Sequence, residues 1–179
     1  MTRLYRYVIV TDGGDAPCVD NASLTLATCK PVVRRTARVG DWIAAFAASP
    51  APPGLLVWAG RIATTEDWAG YAVRHPGRRD ACYRPLVAGG YERLRPGYHD
   101  APAQVAKDLS AGILIFDPAA TWYFGNRPVA LPSTLMPLAA RGIGHRVTDD
   151  PDDIDRLKRW LMATYAPGMH GTPTHQRAC

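Results

Sequence analysis

The sequence predicts an α+β fold in which a small curved or barrel-like sheet carries peripheral helices. The chain has 179 residues, which suits one domain with a sizeable core. About six or seven short segments have the apolar, β-branched character of strands. Strands and helices do not alternate regularly along the chain, which argues against a doubly wound parallel sheet.

Four elements are predicted in the N-terminal part of the chain. Residues 4–10, LYRYVIV, favour a strand because they alternate and then become β-branched. Residues 28–37 favour a short helix, since Pro31 suits a first helical turn and Gly40 ends the segment. WIAAFAA predicts a second strand, and LLVWAGRIATT, after the turn SPAPPG, predicts its hairpin partner.

The remaining elements follow from short local patterns. EDWAGY predicts a helical turn, YRPLV and YERL two short strands, and APAQVAKDLS a helix. ILIF and TWYFG predict two strands joined by a turn at DPAA. DDPDDIDRLKRWLMATY predicts a helix because Ile154, Leu157 and Leu161 share one face. We expect a single domain over residues 1–166 and a flexible tail over residues 167–179.

Several classes of protein are disfavoured by the sequence. No secretory signal is visible at the N-terminus, and the apolar runs are too short to cross a bilayer. Cys18, Cys29, Cys82 and Cys179 lack the CxxC spacing of a zinc site, and a chain of this length does not need disulfides. We expect a cytoplasmic protein with reduced thiols, no bound metal and no membrane partner. No motif identifies a cofactor.

The net charge of +5 is carried almost entirely by arginine, since Lys30, Lys107 and Lys158 are the only lysines. Arginine offers a planar fork to phosphates and base edges, so the composition is compatible with nucleic-acid binding. A GC-rich genome also encodes much arginine, and composition alone does not separate the two explanations.

The predicted basic helix is a candidate anion site. Arg34 and Arg38 are four residues apart and share a helix face, whereas Arg35 lies about 100° away. With Lys30 beside them, these side chains suit a phosphate or the edge of a base. Alternatively, the arginines are solvated or pair with acids such as Asp41.

Cys29, at the start of the same helix, is a candidate nucleophile. The neighbouring Lys30 and the helix start favour a thiolate. A nucleophilic cysteine also needs a base, which His99 or His145 would supply if the fold brought it close. The alternative is a half-buried structural cysteine, which is the commoner case.

The segment RGIGHR predicts a loop whose backbone can approach a ligand, because Gly142 and Gly144 flank one isoleucine. Arg141, His145 and Arg146 would contact that ligand. The segment lacks the strand-to-helix switch of a dinucleotide fingerprint, and an ordinary tight turn has a similar pattern.

Further candidates are aromatic or lie in the polar central section. Trp42 and Tyr123 offer rings on which a base can stack, although aromatic residues in strands usually belong to the core. Asp80, Tyr83 and His99 lie in a section rich in Arg, Gly and Pro, where loops rather than core explain their presence.

Taken in order, these motifs resemble the second of the nucleotide-modification-associated domain families. The resemblance runs from about residue 5 to about residue 162 and rests chiefly on LATCKPVVRRTARVGDW and RGIGHR. Members of that family look like components of bacterial and phage systems that make or handle modified nucleotides in DNA. Residues 84–107 look shorter than the corresponding family segment, which affects the alignment of His99.

The resemblance implies functional roles for the residues that match its motifs. These residues are Cys29, Lys30, Arg34, Arg35, Asp41, Trp42, Asp80, Tyr83, His99, Tyr123, Arg141, Gly142, Gly144, His145 and Arg146. A short basic helix, then GD and a hydrophobic strand, then VWAGRI, is more distantly similar to PUA-like and EVE-like domains. Those domains are small pseudo-barrels that bind modified bases, and this similarity concerns the fold alone.

Three functional hypotheses follow. In the first, the protein binds a nucleotide or modified base: Arg34 or Arg35 holds phosphate, Trp42 or Tyr123 stacks, and His145 with Asp41 reads the base. In the second, it is an enzyme acting on a nucleotide through Cys29 or His145. In the third, it is a protein-interaction module. A thiol within hydrogen-bonding reach of a histidine, in an open cleft, would favour the enzyme.

Overall fold

The computed structural model describes residues 1–175, which form a strongly curled half-barrel sheet with helices around it. The helices are α1 (Pro31–Thr36), α2 (Trp68–Arg74), α3 (Pro102–Leu109) and α4 (Pro151–Thr164). Short 3-10 segments cover Asp20–Ala22 and Ser133–Leu138. The predicted α+β class with a small curved sheet and peripheral helices is confirmed.

Eight of the ten strands in the described residues belong to one sheet. The strands are β1 (Leu4–Ile9), β2 (Thr25–Leu26), β3 (Trp42–Ala47), β4 (Leu55–Glu66), β5 (Tyr83–Pro85), β6 (Tyr91–Arg93), β7 (Ile113–Tyr123), β8 (Val129–Ala130), β9 (His145–Thr148) and β10 (Gly168–Met169). The main path runs β10–β7–β4–β3–β1–β9, with β2 beside β7 and β8 beside β4. Strands β5 and β6 form a separate hairpin.

Strands β1 and β3 are parallel neighbours, with Leu4 opposite Trp42 and Ile9 opposite Ala47. The chain therefore crosses over between them, and the crossover contains β2 and α1. The sequence does not predict this crossover, because α1 has six residues and too little periodicity to indicate a βαβ unit. Strand β4 then pairs antiparallel with β3, as the sequence predicts.

Strand β7 is one continuous strand where the sequence predicts two strands and a turn. Its pairing with β4 places Phe116 opposite Ile62 and Thr121 opposite Gly60, so several residues of β7 face a single residue of β4. The DPAA segment occupies this bulge, where Pro118 is tolerated because the regular ladder is interrupted. The side chain of Asp117 accepts a hydrogen bond from the backbone N–H of Ala119 at 2.9 Å.

The sheet buries side chains on both faces, and a third cluster extends the core to one side. Trp42 packs with α4 on one face, whereas Tyr5 and Tyr7 pack with α1 on the other. The third cluster joins Ala27, just before Cys29, to residues of α2, α3 and β5. The segment that leads to Cys29 is therefore fixed against α3.

The C-terminal stretch is attached to the sheet. Gly168 and Met169 of β10 pair in parallel with β7, and the ring of His170 stacks on Phe124 with centroids 5.2 Å apart. The sequence does not predict this pairing, because backbone pairing needs no apolar pattern, and the flexible tail over residues 167–179 stays a prediction. Residues 176–179 of the predicted tail lie outside the described residues. The single domain over 1–166 stays a prediction.

Within residues 1–175, no helix is both long enough and apolar enough to cross a membrane. The longest helix, α4, has 14 residues and carries its apolar residues on one face.

Asp80 lies in a buried hydrogen-bond network inside the fold. Its side chain is fully buried and accepts hydrogen bonds from Tyr71 Oη at 2.7 Å and Thr25 Oγ1 at 2.5 Å. Arg78, also buried, places Nε 3.4 Å from the same carboxylate and extends to backbone carbonyls of the 18–23 segment. The polar central section that contains Asp80 is therefore built into the core, and the ligand role of Asp80 stays a prediction.

Substitution Asp80→Ala is expected to destabilise the fold by about 3–5 kcal/mol, because it leaves Arg78 buried without its carboxylate. Urea unfolding followed by circular dichroism measures the change. Asp155→Ala, which removes an exposed partner of Lys158, is the matched control and is expected to have little effect. Equal effects of the two substitutions would contradict this role for Asp80.

Candidate active site

A cleft of about 600 Å³ opens beside the C-terminal end of β1. Its walls include Val8 and Ile9 of β1, the loop that carries His99, and Gln104 of α3. Cys29 and Lys30 line the same cleft. A larger cavity of about 670 Å³ lies between Trp42 and α4, but its lining, as formed by residues 1–175, contains no cysteine or histidine.

Cys29, His99 and Asp108 form a thiol–imidazole–carboxylate triad at this cleft. The Cys29 Sγ atom lies 3.7 Å from Nε2 of His99, within hydrogen-bonding distance for sulfur. Nδ1 of His99 lies 2.7 Å from Oδ2 of Asp108, whose side chain is 1% exposed. The carboxylate therefore fixes which ring nitrogen faces the thiol, as the orienting acid does in nucleophilic triads.

The buried carboxylate of Asp108 also holds the segment that bears the thiol. Its Oδ1 atom accepts a hydrogen bond from the backbone N–H of Cys29 at 2.9 Å, and Tyr83 Oη donates to Oδ2 at 3.2 Å. Tyr83 is buried and supports the triad from behind, so it is not placed to contact a ligand in the cleft. One side chain thus sets the position of both reacting groups.

The His99 ring is held on its open side by Tyr98. The two rings are stacked with centroids 4.2 Å apart, and Tyr98 Oη lies 2.9 Å from Oγ1 of Thr28, the residue before Cys29. The guanidinium of Arg93 binds the carbonyl oxygens of Tyr98 and His99 at 2.8 and 3.2 Å. The ring is therefore restrained by Asp108 and Tyr98, and its backbone by Arg93.

The backbone is strained at the residues that line the cleft. Cys29, Lys30 and His99 adopt φ angles of 57°, 41° and 52°, in the left-handed region that favours glycine. Each such residue costs on the order of 1–3 kcal/mol and persists only where the surrounding structure imposes it. The concentration of this strain at one cleft supports a functional role for the three residues.

The hydrogen bond from His99 to Asp108 raises the pKa of His99 to about 10, and the neighbouring Cys29 contributes in the same direction. Burial of the ring opposes this rise but is the smaller influence. The imidazolium therefore persists at neutral pH, where its charge faces the sulfur atom.

Arg34 joins the two halves of the triad through buried hydrogen bonds, and its role in phosphate binding stays a prediction. Nε donates to the carbonyl oxygen of Cys29 at 2.8 Å, and the other nitrogens donate to those of Asp108, Ala111 and Gly112, each at 2.9 Å. The side chain is buried, so no donor is left for an anion. Arg35, its neighbour on α1, is exposed, and its role in ligand binding stays a prediction.

Two other predicted ligand-binding residues, Asp41 and Trp42, have partners within the fold. Asp41 binds the backbone N–H groups of Arg3 and Arg38 at 2.8 and 2.9 Å, with an ion pair to Arg3. Trp42 is buried against Trp122, with ring centroids 6.2 Å apart. Both side chains are therefore engaged in the fold, and their roles in ligand binding stay predictions.

Tyr123 is likewise buried, and its hydroxyl donates to Oδ2 of Asp12 at 2.6 Å. Its stacking on a base stays a prediction. Burial raises the pKa of Tyr123, and the hydrogen bond to Asp12 raises it further.

The RGIGHR segment does not line the cleft that contains Cys29. Arg141, Gly142, Gly144 and Arg146 are exposed, and His145 is half-buried with its ring centroid 6.1 Å from that of Tyr5. The imidazole beside the thiol is that of His99, at 3.7 Å, and a catalytic role for His145 stays a prediction. Ligand binding by the exposed residues stays a prediction.

Asp108 is the one triad member that our sequence analysis missed. It lies on the same face of α3 as Val105, three residues earlier, and these two are the buried residues of that helix. An acid at a core position of an amphipathic helix is a recognisable signal, because a buried carboxylate needs dedicated partners. Within the described residues, no group of three or more His, Cys, Asp or Glu side chains is placed to bind a metal ion.

The fold and the cleft define an α+β half-barrel protein that bears a thiol–imidazole–carboxylate triad. The family model described as nucleotide modification associated domain 2 matches residues 1–91, and the chain belongs to this family. The match includes Cys29 and Lys30 and ends before His99. It associates the protein with nucleotide-modification systems. No curated protein and no solved structure matches the chain.

Substitution Arg34→Met is expected to lower the free energy of unfolding by about 3 kcal/mol or more, because buried carbonyl oxygens lose a charged donor. Arg35→Met, on the exposed face of the same helix, is the control and should change stability by less than about 0.5 kcal/mol. Urea unfolding gives both values. A small effect of Arg34→Met would show that the carbonyls find other donors.

The pKa shift of His99 predicts a pH-dependent contribution to stability. Because the pKa is raised from 6.5 to about 10, the contribution is fully present below pH 6.5 and is lost as the pH rises through about 10. The difference in unfolding free energy between the wild type and His99→Gln should shrink over that interval. A difference that is constant with pH would contradict the imidazolium–carboxylate pair.

Proposed function

We propose that this protein is an enzyme that transfers an acyl group through Cys29, acting on a nucleotide or modified base. The observation that carries the proposal is the triad: Sγ lies 3.7 Å from the His99 ring, and that ring lies 2.7 Å from a buried carboxylate, at the wall of an open cleft. A structural cysteine has no need of an oriented imidazole.

The triad supports a covalent step in which each group has a defined task. The Cys29 thiolate attacks the carbonyl carbon of an amide or ester, so that a carbon–sulfur bond forms and the bond to the leaving amine or alcohol breaks. The imidazolium of His99 gives its proton to the leaving group. Water or an acceptor amine then attacks the thioester, gives its proton to His99 and releases Cys29.

Asp108 orients the ring during both half-reactions. Its hydrogen bond keeps Nε2 directed at the sulfur, and the negative charge stabilises the imidazolium. Because Asp108 also binds the backbone N–H of Cys29, the thiol and the imidazole keep one separation during the reaction. A restrained geometry of this kind lowers the entropic part of the barrier.

Lys30 supports binding of a nucleotide in the same cleft. Its amino group lies 4.5 Å from the centroid of the Tyr7 ring, and burial lowers the pKa of this group. A partly desolvated cation beside the nucleophile suits a phosphate of the substrate. Membership of a nucleotide-modification family supports the same class of substrate. The reduced thiol that this chemistry needs is consistent with a cytoplasmic location.

Acylation of Cys29 by the activated ester p-nitrophenyl acetate tests the proposal. We expect one acetyl group per chain, located on Cys29 by peptide mass spectrometry, in a Cys179→Ala background that removes the terminal thiol. Cys18 and Cys82 serve as internal controls, because both are buried and burial raises the pKa of each thiol. His99→Gln should slow acylation about 100-fold or more.

The following outcomes would overturn the proposal. Acetylation spread over all three cysteines, or a rate on Cys29 unaffected by His99→Gln, would show that the triad does not activate the thiol. Rapid acylation of Cys29 would support the proposal. Screening of nucleotides that carry acyl or amide substituents would then identify the substrate by its turnover.

A further inference from the structure

The loop formed by residues 141–144 presents one apolar side chain entirely to solvent. Ile143 is 100% exposed, the full exposure of an isolated residue. Gly142 and Gly144 on either side have φ angles of 70° and 91°, in the left-handed region that favours glycine. A side-chain carbon added at Gly142 would have no atom within 4 Å. Packing within the described residues does not explain this isoleucine.

The loop lies at the end of the sheet where the cleft opens. Strand β9 runs antiparallel to β1, with His145 opposite Tyr7. Residues that precede His145 therefore lie beyond Tyr7, toward the C-terminal end of β1, and Val8 and Ile9 at that end line the cleft. The 141–144 loop and the triad thus stand beside the same end of β1.

Cations flank the exposed isoleucine. Arg141 and Arg146 are exposed, and neither forms an ion pair in the described residues. Arg6, opposite Arg146 in the β1–β9 register, has a buried Nε atom without a hydrogen-bond partner. The acid that faces Arg6 is Asp153, whose carboxylate is paired with Arg156. Strand β9 and the 141–144 loop therefore form a positively charged surface from which one apolar side chain, that of Ile143, projects.

We infer that this loop inserts Ile143 between stacked bases of double-stranded nucleic acid while Arg141 and Arg146 contact the phosphates. Apolar wedges flanked by arginine are a recurrent means of unstacking a duplex. A base displaced in this way beside the cleft would be accessible to Cys29, so the substrate is a nucleotide within a duplex. This last step rests on the proposed acyl-transfer function; the insertion itself does not.

A duplex explains the surface better than a membrane does. The loop offers one apolar side chain, whereas a segment that lies in a membrane interface buries a continuous apolar face. One side chain is sufficient to separate a base step. Membership of a nucleotide-modification family also favours nucleic acid as the partner.

Insertion is tested with a short DNA duplex that carries 2-aminopurine, whose fluorescence increases when it is unstacked. We expect the wild type to increase the fluorescence and Ile143→Ser to abolish the increase, with a less than about 3-fold loss of affinity by anisotropy, because phosphate contacts supply most of the affinity. Val87→Ser is the control, because Val87 is equally exposed in the β5–β6 hairpin. Equal behaviour of the two variants would overturn the proposal.

The phosphate contacts are tested by the double variant Arg141→Gln/Arg146→Gln. Between about 50 mM and 200 mM salt, loss of two phosphate contacts should reduce the slope of log K against log salt by about 1.8. Arg74→Gln/Arg84→Gln removes the same charge from exposed residues of α2 and β5 and should leave the slope nearly unchanged. Equal slopes in the two double variants would contradict the assignment.

Two further measurements separate insertion into nucleic acid from membrane binding and from the acyl-transfer chemistry of Cys29. Absence of duplex binding at low salt, or binding to vesicles of anionic phospholipid that Ile143→Ser abolishes, would overturn insertion into nucleic acid. Acetylation of Cys29 by p-nitrophenyl acetate should be unchanged in Ile143→Ser. A failure of the triad chemistry and a failure of the loop are therefore distinguishable.

Discussion

The buried carboxylate of Asp108 is the interaction on which the site depends. It binds the ring of His99, the backbone N–H of Cys29 and the hydroxyl of Tyr83. Arg34 donates hydrogen bonds to the neighbouring backbone carbonyl oxygens. A carboxylate in the core is tolerated only where several donors satisfy it. The same contacts that compensate for its burial place a thiol beside an imidazolium.

Sequence patterns predicted the helices and strands better than they predicted which strands pair. The helix at Pro31, the β3–β4 hairpin and α4 are visible because capping, turn chemistry and periodicity are local. The continuous β7 was missed because a bulge and a turn share the same residue types at DPAA. The parallel pairing of β1 with β3 depends on contacts that local patterns do not encode.

The candidate site was predictable only in part, for a related reason. Cys29, Lys30 and His99 were predicted from residue type and position, and the structure places all three at one cleft. Arg34, Asp41 and Asp80 have the same polar character in the sequence, yet each is used to satisfy the interior. Sequence alone does not distinguish a polar group that is free from one that is already bonded, because that depends on burial and geometry.

The triad is assembled from segments that are distant along the chain. Cys29 and His99 are 70 residues apart, whereas His99 and Asp108 are separated by nine. In an unfolded chain the sulfur atom has no imidazole beside it. Contact between these two atoms therefore reports whether the tertiary structure is complete, and the protein carries its own probe of conformational integrity.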